Sequence, residues 1–254
     1  MKTNKIGYII VSTSIVLSVG CGGEKKAEAP AEQPKAAATV DMTKVGSITG
    51  SVKFEGTAPK PAAIKMSADP VCVSGHTGAV TSEDLVINSN NTVKNVIVRI
   101  KDDAGMLSFD TPTEPVEIDQ VGCVYTPHVA AVLANQSFVA KNGDNTMHNV
   151  HYISEKDGEN NIAQPAKGIK STFTFTAPQH VKFKCDVHSW MSAHVLVVDN
   201  PFYAVTGDDG SFTIKNVPAG DYTVETWHES GWTATAKVTV AAQAAATADF
   251  TFKK

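Results

Sequence analysis

A two-residue alternation, returning about every ten residues from position 46 onward, limits this chain more than any other feature. GSITGSVKFEG spaces Ile48, Val52 and Phe54 among small or polar residues, and VKNVIVRIKD (93–102) sets Val96, Val98 and Ile100 on one side. STFTFTAP (171–178) sets Phe173 and Phe175 on one side and threonines on the other. Period two puts apolar side chains on one face of a strand, and the intervening Gly, Pro and Asn mark turns. No long segment has a 3.6-residue period. The expectation is an all-β chain built from β-sandwiches. The polar stretches 76–92 and 155–170 read as long loops.

The 254 residues allow one large or two small domains, and 42% hydrophobic content is enough for a core. Formal net charge is −4 and the sole arginine is Arg99, which excludes the clustered basic surface of a nucleic-acid binder. Lys2 and Lys5 precede an apolar run from Ile6 to Val19, a signal-peptide pattern too short for a typical membrane span. The run ends in LSVGCGG. This resembles a bacterial lipoprotein signal, with Leu17 one step ahead of its usual place. The resemblance implies cleavage after residue 20 and lipidation of Cys21. The chain is then exported to the periplasm or cell surface, with the outer membrane preferred because Gly22 is not Asp. Residues 22–40 contain no large apolar side chain before Val40, so 21–44 reads as a flexible tether.

KCDVHSWM (184–191) carries the chemistry. In HVKFKC, Val181, Phe183 and Cys185 share one face, so Cys185 points inward at a strand end. His188 and Met191 follow on a short loop, and VLVVD resumes as a strand. Upstream, NGDNTMHNVHY (142–152) holds His148 and His151. Their odd separation sends them to opposite faces, so only one reaches a shared site. One thiolate, two imidazoles and a thioether are the donor set of a blue-copper centre. A structural zinc site takes four strong donors, and a hydrolytic one keeps a position for water.

H-N-V-H, then T-F-T, then C-x2-H-x2-M, then a V-x-V-V strand is similar to the cupredoxins, closest to the amicyanin and pseudoazurin group. The resemblance implies one copper per chain, held by His148, Cys185, His188 and Met191. Asn149 would tie the ligand loops together, Trp190 would shield the metal, and the edge of His188, in an apolar rim, would be the electron port. It implies outer-sphere single-electron transfer with redox protein partners, a monomer, and no enzymatic step. Separately, G-S-I-T-G-S-V (46–52) and TGDDGSFTIKNVPAGDYTV resemble a carboxypeptidase regulatory-like domain, a transthyretin-like sandwich. The implied organisation is a discontinuous sandwich, 45–110 plus 200–254, hosting a cupredoxin domain at 111–199.

With Cys21 on lipid and Cys185 on copper, Cys72 and Cys123 remain for each other, and export favours a disulfide stapling host to insert. The rival is a second metal site at Cys72 and His76, although C-x3-H matches no common zinc pattern. His76, His128, His180, His194 and His228 read as surface or packing residues. Two other functions compete with electron transfer. One is copper handling by a chaperone or store. The other is carbohydrate or surface binding, with Trp227 and Trp232 as a platform and copper as a structural ion. An oxidase would need further histidine-rich copper sites, and only eight histidines exist.

Overall fold

A computed structural model describes residues 40–101 and 109–254. The expected signal, Cys21 and most of the tether lie outside the described residues. In chain order the elements are β1 (Val45–Glu55), α1 (Pro70–Ser74), β2 (Ile97–Ile100), β3 (Val116–Val121), β4 (Val124–Thr126), β5 (Val129–Leu133) and β6 (Ser137–Asn142). Then come β7 (His148–Ser154), β8 (Glu159–Gln164), β9 (Lys170–Thr174), β10 (Gln179–Lys184), β11 (Ser192–Val198) and β12 (Tyr203–Val205). The last are β13 (Ser211–Pro218), β14 (Gly220–Trp227), β15 (Thr233–Val240), β16 (Ala245–Thr247) and β17 (Phe250–Lys253). The chain is all-β, as the alternation predicts, and among the described residues no helix is long and apolar enough to cross a membrane.

Four sheets form two sandwiches. In the first, β1 pairs antiparallel with β13 and parallel with β16 and β17, facing the sheet β12-β2-β14-β15. The two sheets enclose a core that includes Ile48, Val52, Phe54, Val98, Phe212, Tyr222, Val224 and Phe250. The glycines of the G-S-I-T-G-S-V opening have a steric cause. A Cβ on Gly50 would lie 1.8 Å from the Ala248 carbonyl oxygen, so any other residue would force the last strands off β1. In the P-x-G-x-Y pattern, the Tyr222 hydroxyl donates to the Pro218 carbonyl at 2.9 Å and fixes the turn into β14.

The second sandwich faces β5-β11-β10-β7-β8 against β4-β3-β6-β9. Phe138, Phe173, Phe175 and Phe183 fill its core, with rings 5.2–6.2 Å apart. A third cluster joins Ile97 of the first sandwich to Val129, Ala131, Leu133, Leu196 and Val198 of the second, with Trp227 and Tyr203 against it.

Three expectations change. Residues 155–170 are not one long loop, because β8 pairs along the length of β7. Its sequence ENNIAQ lacks apolar alternation because it is an exposed edge, with only half-buried Ile162 and the buried, hydrogen-bonded Gln164 turned inward. Second, the segment with Ile64, Met66, Cys72 and Val80 packs on the second core, not the first, although it lies within 45–110. Third, the Cys72–Cys123 disulfide forms (Cα–Cα 5.3 Å), but both cysteines belong to that second core. It clips this segment to the second sandwich rather than stapling host strands to the insert.

Candidate metal centre

β10 delivers Cys185 by the alternation read from sequence: Val181, Phe183 and Cys185 are buried, while Lys182 is exposed. The chain then folds back at once. The Cys185 amide donates to the Met191 carbonyl at 3.4 Å, and the Met191 amide donates to the His188 carbonyl at 2.9 Å. Asn149, beside His148 at the start of β7, pins this loop from the neighbouring strand. Its Oδ1 accepts from the amides of Asp186 (2.7 Å) and Val187 (3.2 Å) and from the Cys185 thiol (3.3 Å).

Three donor atoms converge. Cys185 Sγ is 3.8 Å from His148 Nδ1 and 3.9 Å from His188 Nδ1, and the two Nδ1 atoms are 3.0 Å apart. All three residues are buried, with exposures of 0–2%. A metal with bonds of ~2.0 Å to nitrogen and ~2.3 Å to sulfur needs donors roughly 3.3–3.8 Å apart. The observed triangle fits after shifts of a few tenths of an ångström. Met191 is 2% exposed and packs in the same core as Cys185.

Each histidine is held from behind by a carboxylate. His148 Nε2 lies 3.0 Å from Asp144 Oδ2. Asp144 also accepts from the amides of Gly122 (2.7 Å) and Cys123 (2.8 Å). Those two residues have positive φ, 65° and 55°, which turns consecutive N–H groups toward one anion. His188 Nε2 lies 3.1 Å from Asp69 Oδ2, which also accepts from the Thr146 hydroxyl at 2.8 Å. Asp69 caps α1 as well, through its Oδ1 and the Val71 amide. With Nε2 donating outward, both Nδ1 lone pairs point at the thiol, the tautomer a metal requires. Neither aspartate stands out in the sequence. Asp144 reads as an ordinary turn residue, and Asp69 lies 119 positions from the histidine it touches.

The charges follow. Burial opposes the His148 imidazolium, but the hydrogen bond to Asp144 and then the one to Cys185 override it, and its pKa is pushed up to about 9. Burial likewise opposes the Cys185 thiolate, yet the His148 hydrogen bond and nearby backbone groups hold its pKa below the usual thiol range. Burial pulls His188 down, Asp69 notwithstanding. In the metal-free chain a proton and a thiolate therefore tend to share the space a cation would fill.

The remaining residues fall as follows. His151 points away, to Asp186 at 2.8 Å and to Glu159. The Trp190 ring sits 5.1 Å from that of His188 and donates its N–H to the Cys123 carbonyl at 3.0 Å. It thus closes the site against the disulfide. One expectation is corrected: His188 presents no open edge, since it is 2% exposed and Asp69 occupies its outer nitrogen. The Cys72–His76 metal alternative also falls, because Cys72 is in the disulfide and His76 Nε2 meets the Gly122 carbonyl at 2.6 Å. Trp227 and Trp232 form no shared platform. Trp227 packs on His180, and Trp232 packs on Phe54, His228 and Phe252.

Residues 191–253 match the family model of the carboxypeptidase regulatory-like domain. The match takes in β11 of the second sandwich and β12–β17 of the first, to which β1 and β2 add strands from upstream. No curated protein matches the sequence. The structural neighbours are cupredoxin structures. Amicyanin from Paracoccus versutus is 22% identical, with 35% of this chain and 86% of that one covered and a TM-score of 0.31. A purple cupredoxin from Nitrosopumilus maritimus is 19% identical, with coverages of 33% and 99% and a TM-score of 0.29. A copper-containing nitrite reductase from Thermus scotoductus is 20% identical at a TM-score of 0.31, and the chain spans 24% of its length. At these scores the neighbours add nothing to the donor geometry, which stands by itself. The chain is an all-β protein carrying a regulatory-like segment and a buried His2Cys cluster.

Proposed function

We propose that this chain is an exported, lipid-anchored type 1 copper protein that passes single electrons by outer-sphere transfer. One copper would be held by His148, Cys185 and His188, with Met191 as the axial donor. The observation that carries this reading is the convergence of two imidazole Nδ1 atoms and one thiol in a buried triangle, each imidazole backed by an aspartate. Copper in such a set supplies a one-electron couple.

The chain's own groups do the rest. Asp144 and Asp69 fix both rings, Asn149 fixes the loop that bears the thiol, and Trp190 with the disulfide excludes water. A site held this firmly rearranges little between charge states, which suits a carrier. The same closure disfavours a chaperone or store, which must release its metal. Because Asp69 covers His188, electrons would enter beside it, where Met147 (47% exposed) and Val187 (45%) flank the two histidines. A redox protein docking on that edge is the partner this reading calls for, with Cys21 as the anchor at the periplasmic or outer surface.

Protein-film voltammetry tests the reading. The expected result is a reversible one-electron wave that disappears in Cys185→Ser and persists, with slower exchange to a protein partner, in Val187→Lys. Copper lost on the first reduction would favour metal handling instead.

A further inference from the structure

Two of the remaining histidines, His128 and His194, meet one glutamate at the seam between the sandwiches, with His180 stacked on His194. His180 stands on β10, His194 on β11 and His128 just ahead of β5, while Glu229 sits in the turn between β14 and β15 of the other sandwich. Glu229 Oε1 is 2.5 Å from His128 Nε2, and Oε2 is 2.9 Å from His194 Nε2. Behind them, His128 Nδ1 lies 3.1 Å from the Ser192 carbonyl, and His194 Nδ1 lies 2.9 Å from His180 Nε2. His128 and His194 are buried at 7% and 8% exposure. The Trp227 ring covers His180 at 5.0 Å.

The hydrogen-bond roles force a conclusion about charge. A carbonyl only accepts, so His128 Nδ1 carries a hydrogen. An ionised carboxylate also only accepts, and burial notwithstanding, the bonds from His128 and His194 hold the Glu229 pKa down at about 2. Neutral His128 would then aim a bare Nε2 lone pair at a carboxylate oxygen 2.5 Å away. At that distance a second proton on the ring bridges the two atoms, and, although burial opposes it, the bond to Glu229 raises the His128 pKa. A divalent metal would take that proton's place once the carboxylate drew back. The surroundings suit a metal. Two imidazoles and a carboxylate converge, and each imidazole is oriented from behind through its other nitrogen, as metal-ligating histidines are. A cavity of about 60 Å³ beside His128, lined in part by Glu83 and Asp84, gives a cation an acidic approach.

We propose that His128, His194 and Glu229 form a second divalent-metal site, of the zinc class, which clamps the two sandwiches together. With bonds of ~2.0–2.1 Å the donors would stand roughly 3.3 Å apart, so the carboxylate must retreat by under 1 Å. Glu229 lies in a turn ending at Gly231 (φ 81°), which leaves it room to do so. Zinc has a filled d shell and the site has no thiolate, so its metal adds no visible band beside the first centre. It owes nothing to the identity of the metal there.

The test uses Zn2+ alone on the full chain carrying Cys185→Ala and His188→Ala, which removes two of the first centre's four proposed donors. The expected result is one zinc retained per chain, with X-ray absorption showing two imidazoles plus oxygen and no sulfur. Glu229→Gln added to this background should weaken binding by about 100-fold, without change in the far-UV circular dichroism. A folded chain that retains no zinc would overturn the proposal and leave the cluster held by a proton. Zinc retained equally with Glu229→Gln would overturn it too. If Glu229→Gln fails to fold, the ligand set seen by X-ray absorption in the parent decides alone.

Discussion

Asn149 gathers three contacts on one oxygen: the amides of Asp186 and Val187 and the thiol of Cys185. Asn149→Ala removes that acceptor and leaves two N–H groups without it. The expected outcome is a fall in copper affinity of about 10–100-fold, read by competition with a chelator, with the fold retained. The convergence of Asn149, His148, Cys185 and His188 is legible in sequence because they crowd into two short stretches on adjacent strands. That of Asp69 is not. Its role depends on a contact 119 residues away, with no local pattern to mark it. His228 supplies a second prediction. It is fully buried against Trp232 and Phe252, and burial pushes its pKa down to about 4. A folded pKa below the unfolded value of about 6.5 means the unfolded chain takes up the proton first. Its contribution is therefore present above pH 6.5 and lost as pH falls through 4. Urea unfolding of the copper-free protein should show wild type losing on the order of 3 kcal/mol more than His228→Phe between pH 7 and pH 4. Equal losses would show that His228 does not titrate on unfolding.

The same limits appear among the elements. The strand with Phe173 and Phe175 and the strand into Cys185 follow the alternation, because one face of each is buried and the other exposed. β2 keeps its predicted face, with Val98 and Ile100 and the preceding Val96 in the first core, while Ile97 turns to the seam. β5 shows no alternation, because Val129 to Leu133 are buried in succession between two cores and both its faces are apolar. β8 fails in the opposite way, as a polar edge with almost no face to bury. The segment around α1 became part of the second sandwich through a disulfide that sequence could suggest but not place. That bond spans 51 positions, and loop closure alone gives it about 4 kcal/mol before any strain is subtracted. Cys72→Ala with Cys123→Ala should lower the urea midpoint by a large part of that. It should also speed copper loss, since the clipped segment carries Asp69 to His188 and Trp190 donates to the carbonyl of Cys123, the disulfide's other half. An unchanged release rate would mean that the segment is held without the disulfide.

At the scale of the molecule, the two sandwiches share an apolar seam of Ile97, Val129, Leu133, Leu196 and Val198, bordered by the Glu229 cluster. The first sandwich takes strands from both ends of the described chain, which explains why its two halves read as separate patterns in the sequence. It gives the other sandwich a neighbour on one face, while the donor triangle lies at the start of β7 and in the loop between β10 and β11. The account's central claim is that this triangle is a thiolate–copper centre. The direct measurement is the visible absorption spectrum of residues 41–254 loaded with Cu(II), beside Cys185→Ala. The account predicts an intense thiolate-to-copper band that bleaches reversibly with ascorbate and is absent from the variant. A colourless protein, or a band indifferent to Cys185, would contradict it.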